Sequence, residues 1–232
     1  MTRRALLVRA MSNTVQICEP RRDGDGLRGF GTGVHVTVAY GRKRFSAVLT
    51  AAHALPTKAQ ARRATCVFSA VGPFPRVEVG FDPDRLYLNC SPRTDVVVVA
   101  LARNVTRAPP LPLAPLRKHP GERFVMDSSQ TRLHLFHHGG GQEKVGVLSG
   151  SLVVACQDVF VFTARGFRGC SGAAIYTSEW QLYGITFAAN EALLHCREAN
   201  KYTQVTEGAY LGPLVDALEK RGMQIAHAPA RG

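Results

Sequence analysis

The sequence lacks any apolar run approaching the length of about 20 residues that a helix needs to cross a bilayer, which excludes a helical membrane protein. It also lacks a Cys-x-x-Cys pair. The cysteines at 18, 66, 90, 156, 170 and 196 sit at no metal-ligand spacing, which excludes zinc-finger and thioredoxin-like readings. No secretory signal opens the chain, so free thiols and a cytoplasmic protein are expected rather than a secreted one. Repeats of solenoid period are absent, as is low complexity outside one proline stretch, which excludes repeat arrays. Acidic residues are few, 17 against 29 Lys and Arg, for a net charge of +12. The basic excess is scattered and never forms a block of five or six, so no polybasic tail is present. Attraction to RNA through a basic surface stays open.

What is there is 45% hydrophobic residues, enough to build a real core in 232 residues. They fall in short alternating runs. Gly33 to Tyr40 alternates, Gly41-Arg42-Lys43-Arg44 turns, and Phe45 to Thr50 returns, a hairpin in which His35 is a barrel residue. Cys66-Val67-Phe68-Ser69, Arg76 to Val79, and Arg85 to Leu88 are further short strands between Gly/Pro/Asp clusters, a spacing that suits a small barrel. The prolines of Ala108 to Leu116 cannot donate to a ladder and predict an extended crossover. Strands resume at Glu122 to Met126, Leu133 to His137, Lys144 to Val154 and Val159 to Thr163. A helix is predicted over Leu214 to Arg221 with Gly222 as its cap, then a frayed tail from Ala226. Residues 1–26 are expected as a leader with a short strand at Thr14 to Cys18. Met1 to Cys18 carries arginines and no acid, a composition shared with organellar transit peptides.

The chemistry gathers around Arg165 to Tyr176, a turn punctuated by Gly166, Gly169 and Gly172. Glycines there allow peptide N–H groups to converge on one point, where an oxyanion could sit beside the Ser171 hydroxyl. A serine needs a base and something to orient it. His53 follows the strand Ala47 to Ala52 and is the candidate base. Asp95 opens the run Val96 to Val99 and is the candidate orienter, because a carboxylate at a buried strand mouth needs a partner. Asp82 and Asp84 compete for that role but sit in a proline turn, where solvation is the ordinary fate. His134, His137 and His138 invite a metal reading, yet no cysteine or carboxylate lies at ligand spacing, so no metal or cofactor is expected.

In chain order, Leu49-Thr50-Ala51-Ala52-His53, Thr94-Asp95 through Leu101, and Gly169-Cys170-Ser171-Gly172-Ala173-Ala174 resemble the three signatures of the chymotrypsin-like serine proteases. Tyr183 to Ala188 resembles the strand that binds substrate backbone in that family. Lys201 to Val205 with Leu214 to Glu219 resembles its closing strand and C-terminal helix. The resemblance spans about residues 28 to 222. It implies an all-β fold of two six-stranded antiparallel barrels with a C-terminal helix. The first barrel would occupy 27–107 with His53 and Asp95, the crossover 108–116, the second barrel 117–207 with Ser171, and the helix and tail 208–232. It implies a serine endopeptidase acting on a peptide or polyprotein, with an oxyanion hole at Gly169, Cys170 and Ser171.

In that family the loop six residues before the serine floors the primary specificity pocket and the strand after it forms the wall, here Arg165 and Thr186, Phe187 and Ala188. Arg165 turned inward favours an acidic side chain; turned to solvent, it leaves a pocket for a small or apolar one. One departure matters. Cys170 stands where secreted digestive members carry the aspartate that pairs with a new N-terminus, so the resemblance implies activity without proenzyme cleavage, in the style of virus-encoded processing proteases working in the host cytoplasm. Those enzymes often use a cysteine nucleophile, but the glycine frame puts Ser171 in the nucleophile place and Cys170 one before it. The alternative is a catalytically inactive or RNA-binding protein on the same fold.

Overall fold

The computed structural model describes residues 2–21, 24, 26–90, 94–114, 131–155, 158–189 and 204–226. Helix α1 (Arg3–Asn13) is capped by the Thr2 hydroxyl, which accepts from the Ala5 amide at 3.3 Å, the usual way of satisfying an orphan donor in a first turn. It leads into β1 (Thr14–Pro20), β2 (Leu27–Tyr40) and β3 (Lys43–Ala51). The expected hairpin is present: Tyr40 faces Lys43 across a two-residue turn, with Gly41 at φ +57. After α2 (Lys58–Arg63) come β4 (Thr65–Phe68), β5 (Val77–Gly80), β6 (Tyr87–Asn89) and β7 (Val96–Ala100).

These strands pair in the order β5-β4-β1-β2-β3-β7-β6. Beyond the ends of β5 and β7, Phe81 bridges Leu101, the Asp82 amide donates to the Ala100 carbonyl at 2.8 Å, and the Ala102 amide donates to the Gly80 carbonyl at 2.9 Å. That bridge brings β5 back to β7, so six strands return on themselves and β6 extends β7 outside the ring. Val97 and Val99 pack inward with Ile17, Val48 and Phe68, while Val96 and Val98 join the larger core on the other face. A strand covered on both faces reads as an unbroken apolar run, which is the valine stretch of β7.

The segment expected as a leader takes part in this barrel. β1 pairs β2 on one side and β4 on the other. Leu6, Leu7 and Met11 of α1 pack against the core. Asn13 Nδ2 donates to the Ala108 carbonyl at 2.9 Å, and the Arg9 guanidinium donates to the carbonyls of Pro109 and Pro110. The prolines that cannot join a ladder thus offer carbonyls by which α1 straps the crossover. The crossover then meets the second half: Leu182 N donates to Pro112 O at 2.7 Å, and Ala114 N to Leu182 O at 2.9 Å.

The second half is a closed barrel of β8 (Arg132–His137), β9 (Gly146–Ala155), β10 (Val159–Phe162), β11 (Ala174–Thr177), β12 (Leu182–Ala189) and β13 (Thr206–Tyr210), in the order β10-β13-β12-β11-β8-β9. Alternate residues, among them Leu133, Leu135, Phe160, Phe162 and Ile175, fill its interior. Helix α3 (Gly212–Glu219) follows, and β14 (Met223–Ile225) returns to pair Val38–Tyr40 of β2 in the first sheet. The predicted strand at 122–126, the Lys201 to Thr203 part of the closing segment and the tail from 227 lie outside the described residues. Cys18, Cys66, Cys90 and Cys170 are free thiols; Cys156 and Cys196 lie outside the described residues. No helix among the described residues is long and apolar enough to cross a membrane.

Candidate active site

Register brings His53 and Asp95 together. Ala51 at the end of β3 faces Val96 at the start of β7, so the residues just beyond each strand end meet. The Ala52 amide donates to the Asp95 carbonyl at 3.0 Å. The His53 amide donates to Asp95 Oδ1 at 2.9 Å, and Nδ1 of the imidazole pairs with Oδ2 in a short contact. The carboxylate side chain is 23% exposed and the imidazole 50%. Held as a donor at Nδ1, the ring has Nε2 left to accept a proton. The rival carboxylates are occupied elsewhere: Asp82 Oδ1 accepts from the Arg85 amide, and Asp84 takes Arg62 at 2.6 and 2.8 Å on the surface.

Ser171 sits in the turn between β10 and β11, clamped from both barrels. On the first-barrel side Thr32 does most of the holding. Its amide donates to the Ser171 carbonyl at 2.9 Å and its hydroxyl to the Gly169 carbonyl at 2.7 Å. The same hydroxyl accepts from the His138 amide at 2.9 Å, and Thr50 Oγ1 donates to the Thr32 carbonyl at 2.7 Å. On the other side Gly172 N donates to Thr186 O at 2.7 Å, and Thr186 Oγ1 donates to Cys170 O at 3.2 Å. Gly172, at φ +82, is required by contact as well as conformation, because a Cβ there would lie 2.1 Å from both Thr32 O and Thr50 Oγ1. Across Gly31 the turn faces the His53 loop: a Cβ at that glycine would be 3.5 Å from the Ala54 Cβ and 3.7 Å from the Ser171 carbonyl oxygen.

Gly169 takes φ +91, in the left-handed region that favours glycine. The Cys170 amide donates back to Phe167 O at 3.0 Å. The amides of Gly169 and Ser171 meet no acceptor among the described residues. Of the three residues expected around an oxyanion, Cys170 thus has its amide pinned away, while Gly169 and Ser171 keep theirs open among the described residues. Cys170 is itself buried beside the half-buried Ser171. Burial pushes its thiol pKa up, which keeps it neutral and inert.

The expected substrate-binding residues separate. Arg165 is exposed and lines a cavity of about 490 Å³ with Leu148, Ser149, Thr163 and Gln204. Thr206 Oγ1 fixes the backbone beside it, donating to Ala164 O and accepting from the Gly166 amide at 2.9 Å. Thr186 and Phe187 are buried, the first bonded to the serine turn and the second packed in the large core. Ala188 continues β12 opposite Glu207. A second groove, about 690 Å³, opens on His53 between Glu19, Phe30, Gln60 and Arg63.

The three histidines go separate ways. His134 Nδ1 bonds Ser149 Oγ at 2.8 Å, His137 Nδ1 accepts from the Gly139 amide at 2.9 Å, and His138 Nδ1 bonds the Gln142 carbonyl at 3.0 Å. Sequence reasoning missed Thr32 altogether; the available signal was a hydroxyl between two glycines, Gly31-Thr32-Gly33, ahead of the hairpin.

A family model described as a trypsin-like peptidase domain matches residues 31–185, a span that includes His53, Asp95 and Ser171. Among solved structures the chain is similar to Rv3671c of M. tuberculosis H37Rv, crystallised as a serine-to-alanine mutant in an inactive form. Identity is 15%, the TM-score is 0.58, and the match covers 94% of this chain and 90% of that one. At that identity the likeness is one of fold. No curated protein matches the chain in sequence.

Proposed function

The chain belongs to the trypsin-like peptidase domain family, and from that membership we propose that it is a serine endopeptidase with His53, Asp95 and Ser171 as its triad. The observation that carries the reading is the His53–Asp95 pair standing beside a turn whose Gly169 and Ser171 amides lack acceptors among the described residues. His53 Nε2 takes the Ser171 hydroxyl proton as the oxygen attacks a peptide carbonyl. Asp95 holds Nδ1 protonated and stabilises the imidazolium that forms. The tetrahedral oxyanion accepts from the two amides, and His53 passes its proton to the leaving amine. Water then repeats the sequence on the acyl-enzyme.

Cys170 supports activity without proenzyme cleavage, since a buried neutral thiol offers no charge to a freed N-terminus. That property suits an enzyme active as synthesised, and release of segments from a viral polyprotein is the narrower form of this reading. Arg165 is exposed rather than turned inward, which supports the reading in which the pocket takes a small or apolar residue before the scissile bond.

The test assays Ser171→Ala and Cys170→Ala on fluorogenic peptides, with fluorophosphonate labelling of each. Ser171→Ala should lose label and at least about 10⁴-fold in rate, while Cys170→Ala keeps both. Full cleavage by Ser171→Ala would overturn the assignment.

A further inference from the structure

In a planar trans peptide the N–H of one residue points opposite to the C=O of the residue before it, so a bond that holds the carbonyl also aims the amide. The carbonyl that shares a peptide plane with the Ser171 N–H is that of Cys170. It accepts from Thr186 Oγ1 at 3.2 Å and from the Ala173 amide at 2.9 Å. The carbonyl that shares a plane with the Gly169 N–H is that of Arg168, and it accepts from the Gly140 amide at 2.8 Å. The direction of one of the two open amides is thus set by the turn that carries Gly140.

By sequence that turn is a loose anchor. Gly139-Gly140-Gly141 has no side chains, Gly140 and Gly141 take φ +69 and +73, and glycine loses more freedom on ordering than any other residue. Within the turn Gly141 N donates to His138 O at 3.2 Å, and Gln142 N reaches Gly139 O only at 3.5 Å. The firmer closure is made by a side chain: His138 Nδ1 donates to the Gln142 carbonyl at 3.0 Å, tying the residue before the glycines to the residue after them. The His138 amide donates to Thr32 Oγ1, which anchors the same residue on the first barrel. The closed turn lies directly against the serine loop. A Cβ at Gly169 would be 3.1 Å from Gly140 N and 3.3 Å from both Gly139 Cα and His138 O, and one at Gly139 would meet the Phe167 ring at 2.1 Å.

His138 is 1% exposed, and burial lowers its pKa against the opposing pull of the Gln142 and Thr14 carbonyls, so the ring is neutral at neutral pH. A carbonyl at Nδ1 then places the one ring proton there. Nε2 keeps its lone pair, buried and without a hydrogen-bond partner among the described residues. An unpaired buried acceptor costs about as much as a hydrogen bond contributes, so the polar atoms of this ring add little net stability.

We propose that His138 is a positioning residue: its Nδ1–H locks the glycine turn, through which Gly140 N holds the Arg168 carbonyl and aims the Gly169 amide at the oxyanion. The proposal rests on the peptidase reading and adds to it a residue that touches neither substrate nor triad.

His138→Leu removes the donor and the unpaired acceptor together, whereas His138→Asn returns an N–H close to the place of Nδ1. Rates are taken per site titrated with fluorophosphonate, beside thermal melts. His138→Leu should lose about tenfold or more in kcat, with KM within about twofold and the melting midpoint little changed. His138→Asn should recover most of the rate. A peptide trifluoromethyl ketone, whose hemiketal oxyanion occupies the same place, should bind His138→Leu more weakly by about the factor lost in kcat/KM. Should His138→Leu fail to fold, His138→Phe, which keeps a ring in that space, takes its part. A wild-type chain that neither takes the label nor cleaves peptides overturns the peptidase reading and this proposal with it. An active wild type whose donor-less variant keeps kcat per labelled site, or whose lost rate His138→Asn does not recover, overturns the positioning role alone.

Discussion

The amide of Thr32 donates to the carbonyl of Ser171 at 2.9 Å, and through that bond the first barrel holds the turn of the second. The Thr32 hydroxyl adds a relay, accepting from His138 N and donating to Gly169 O. Thr32→Val keeps the shape and removes the relay, leaving two buried backbone groups unpaired at a cost of about 1–3 kcal/mol each at most. Because Gly169 carries one of the two open amides, kcat should fall by about 10-fold or more with KM little changed. Thr32→Ser, which keeps the hydroxyl, should restore most of it. Steady-state kinetics beside thermal melts separate this from simple destabilisation.

Asp95→Asn retains the acceptor for the His53 amide but can present an N–H to Nδ1, favouring the wrong tautomer. The rate should drop by about 10⁴, the loss measured for the equivalent change in the Ser-His-Asp template, with the fold preserved. A variant that keeps its kcat would return the orienting role to another carboxylate.

Gly172→Ala combines a left-handed φ with a Cβ 2.1 Å from two oxygens. A loss of about 2–5 kcal/mol is expected. Gly24→Ala has a similar φ, +84, but nothing within 4 Å of the new Cβ. It should cost only about 1–2 kcal/mol. Urea unfolding of both variants measures the difference; equal losses would mean that contact with β2 and β3 does not matter.

Acid should destabilise the chain before its carboxylates titrate. His35 keeps a pKa of about 4 when folded, against 6.5 when unfolded. As pH falls from 6.5 to 4 the unfolded chain binds a proton that the folded chain refuses. Stability therefore drops through that window by about 3 kcal/mol. Burial lowers His134, His137 and His138 as well, which adds the same sign. Urea midpoints at about pH 7 and about pH 4.5 should show the loss, and His35→Gln should reduce it. An unchanged difference in that variant would mean His35 titrates normally.

Much of the fold is readable because it is carried by local pattern. The alternating hairpin, the unbroken valines of β7 and the glycine frame around Ser171 each state their structure within a few residues. His35, placed in the barrel by alternation, is buried and bonded at both nitrogens. What is hidden depends on partners distant in sequence. Thr32 acts through Gly169, 137 positions away, and the glycines on either side of it mark a close approach without naming that partner. The direction of the Cys170 amide is seen in its bond to the Phe167 carbonyl, which residue type alone does not announce. A register shift between Thr186 and Ala188 is equally invisible in the sequence, and with it Thr186 and Phe187 are both buried. β1 reads as part of a leader because an arginine-bearing helix precedes it, although Val15 and Ile17 alternate inward.

The pairing of β14 with β2 sets an order of events during synthesis. Val38 to Tyr40 emerge from the ribosome early and pair with β3 on one side, but their other edge waits for residues 223–225, far later in the chain. Through that interval the nascent chain carries an unpaired strand edge, with Tyr40 at its tip, that could template association with a neighbouring copy. Only when the second barrel and α3 have been made does β14 arrive to cover it. A chain halted before Met223 would thus hold all three triad candidates and still be released with an adhesive edge on its first barrel.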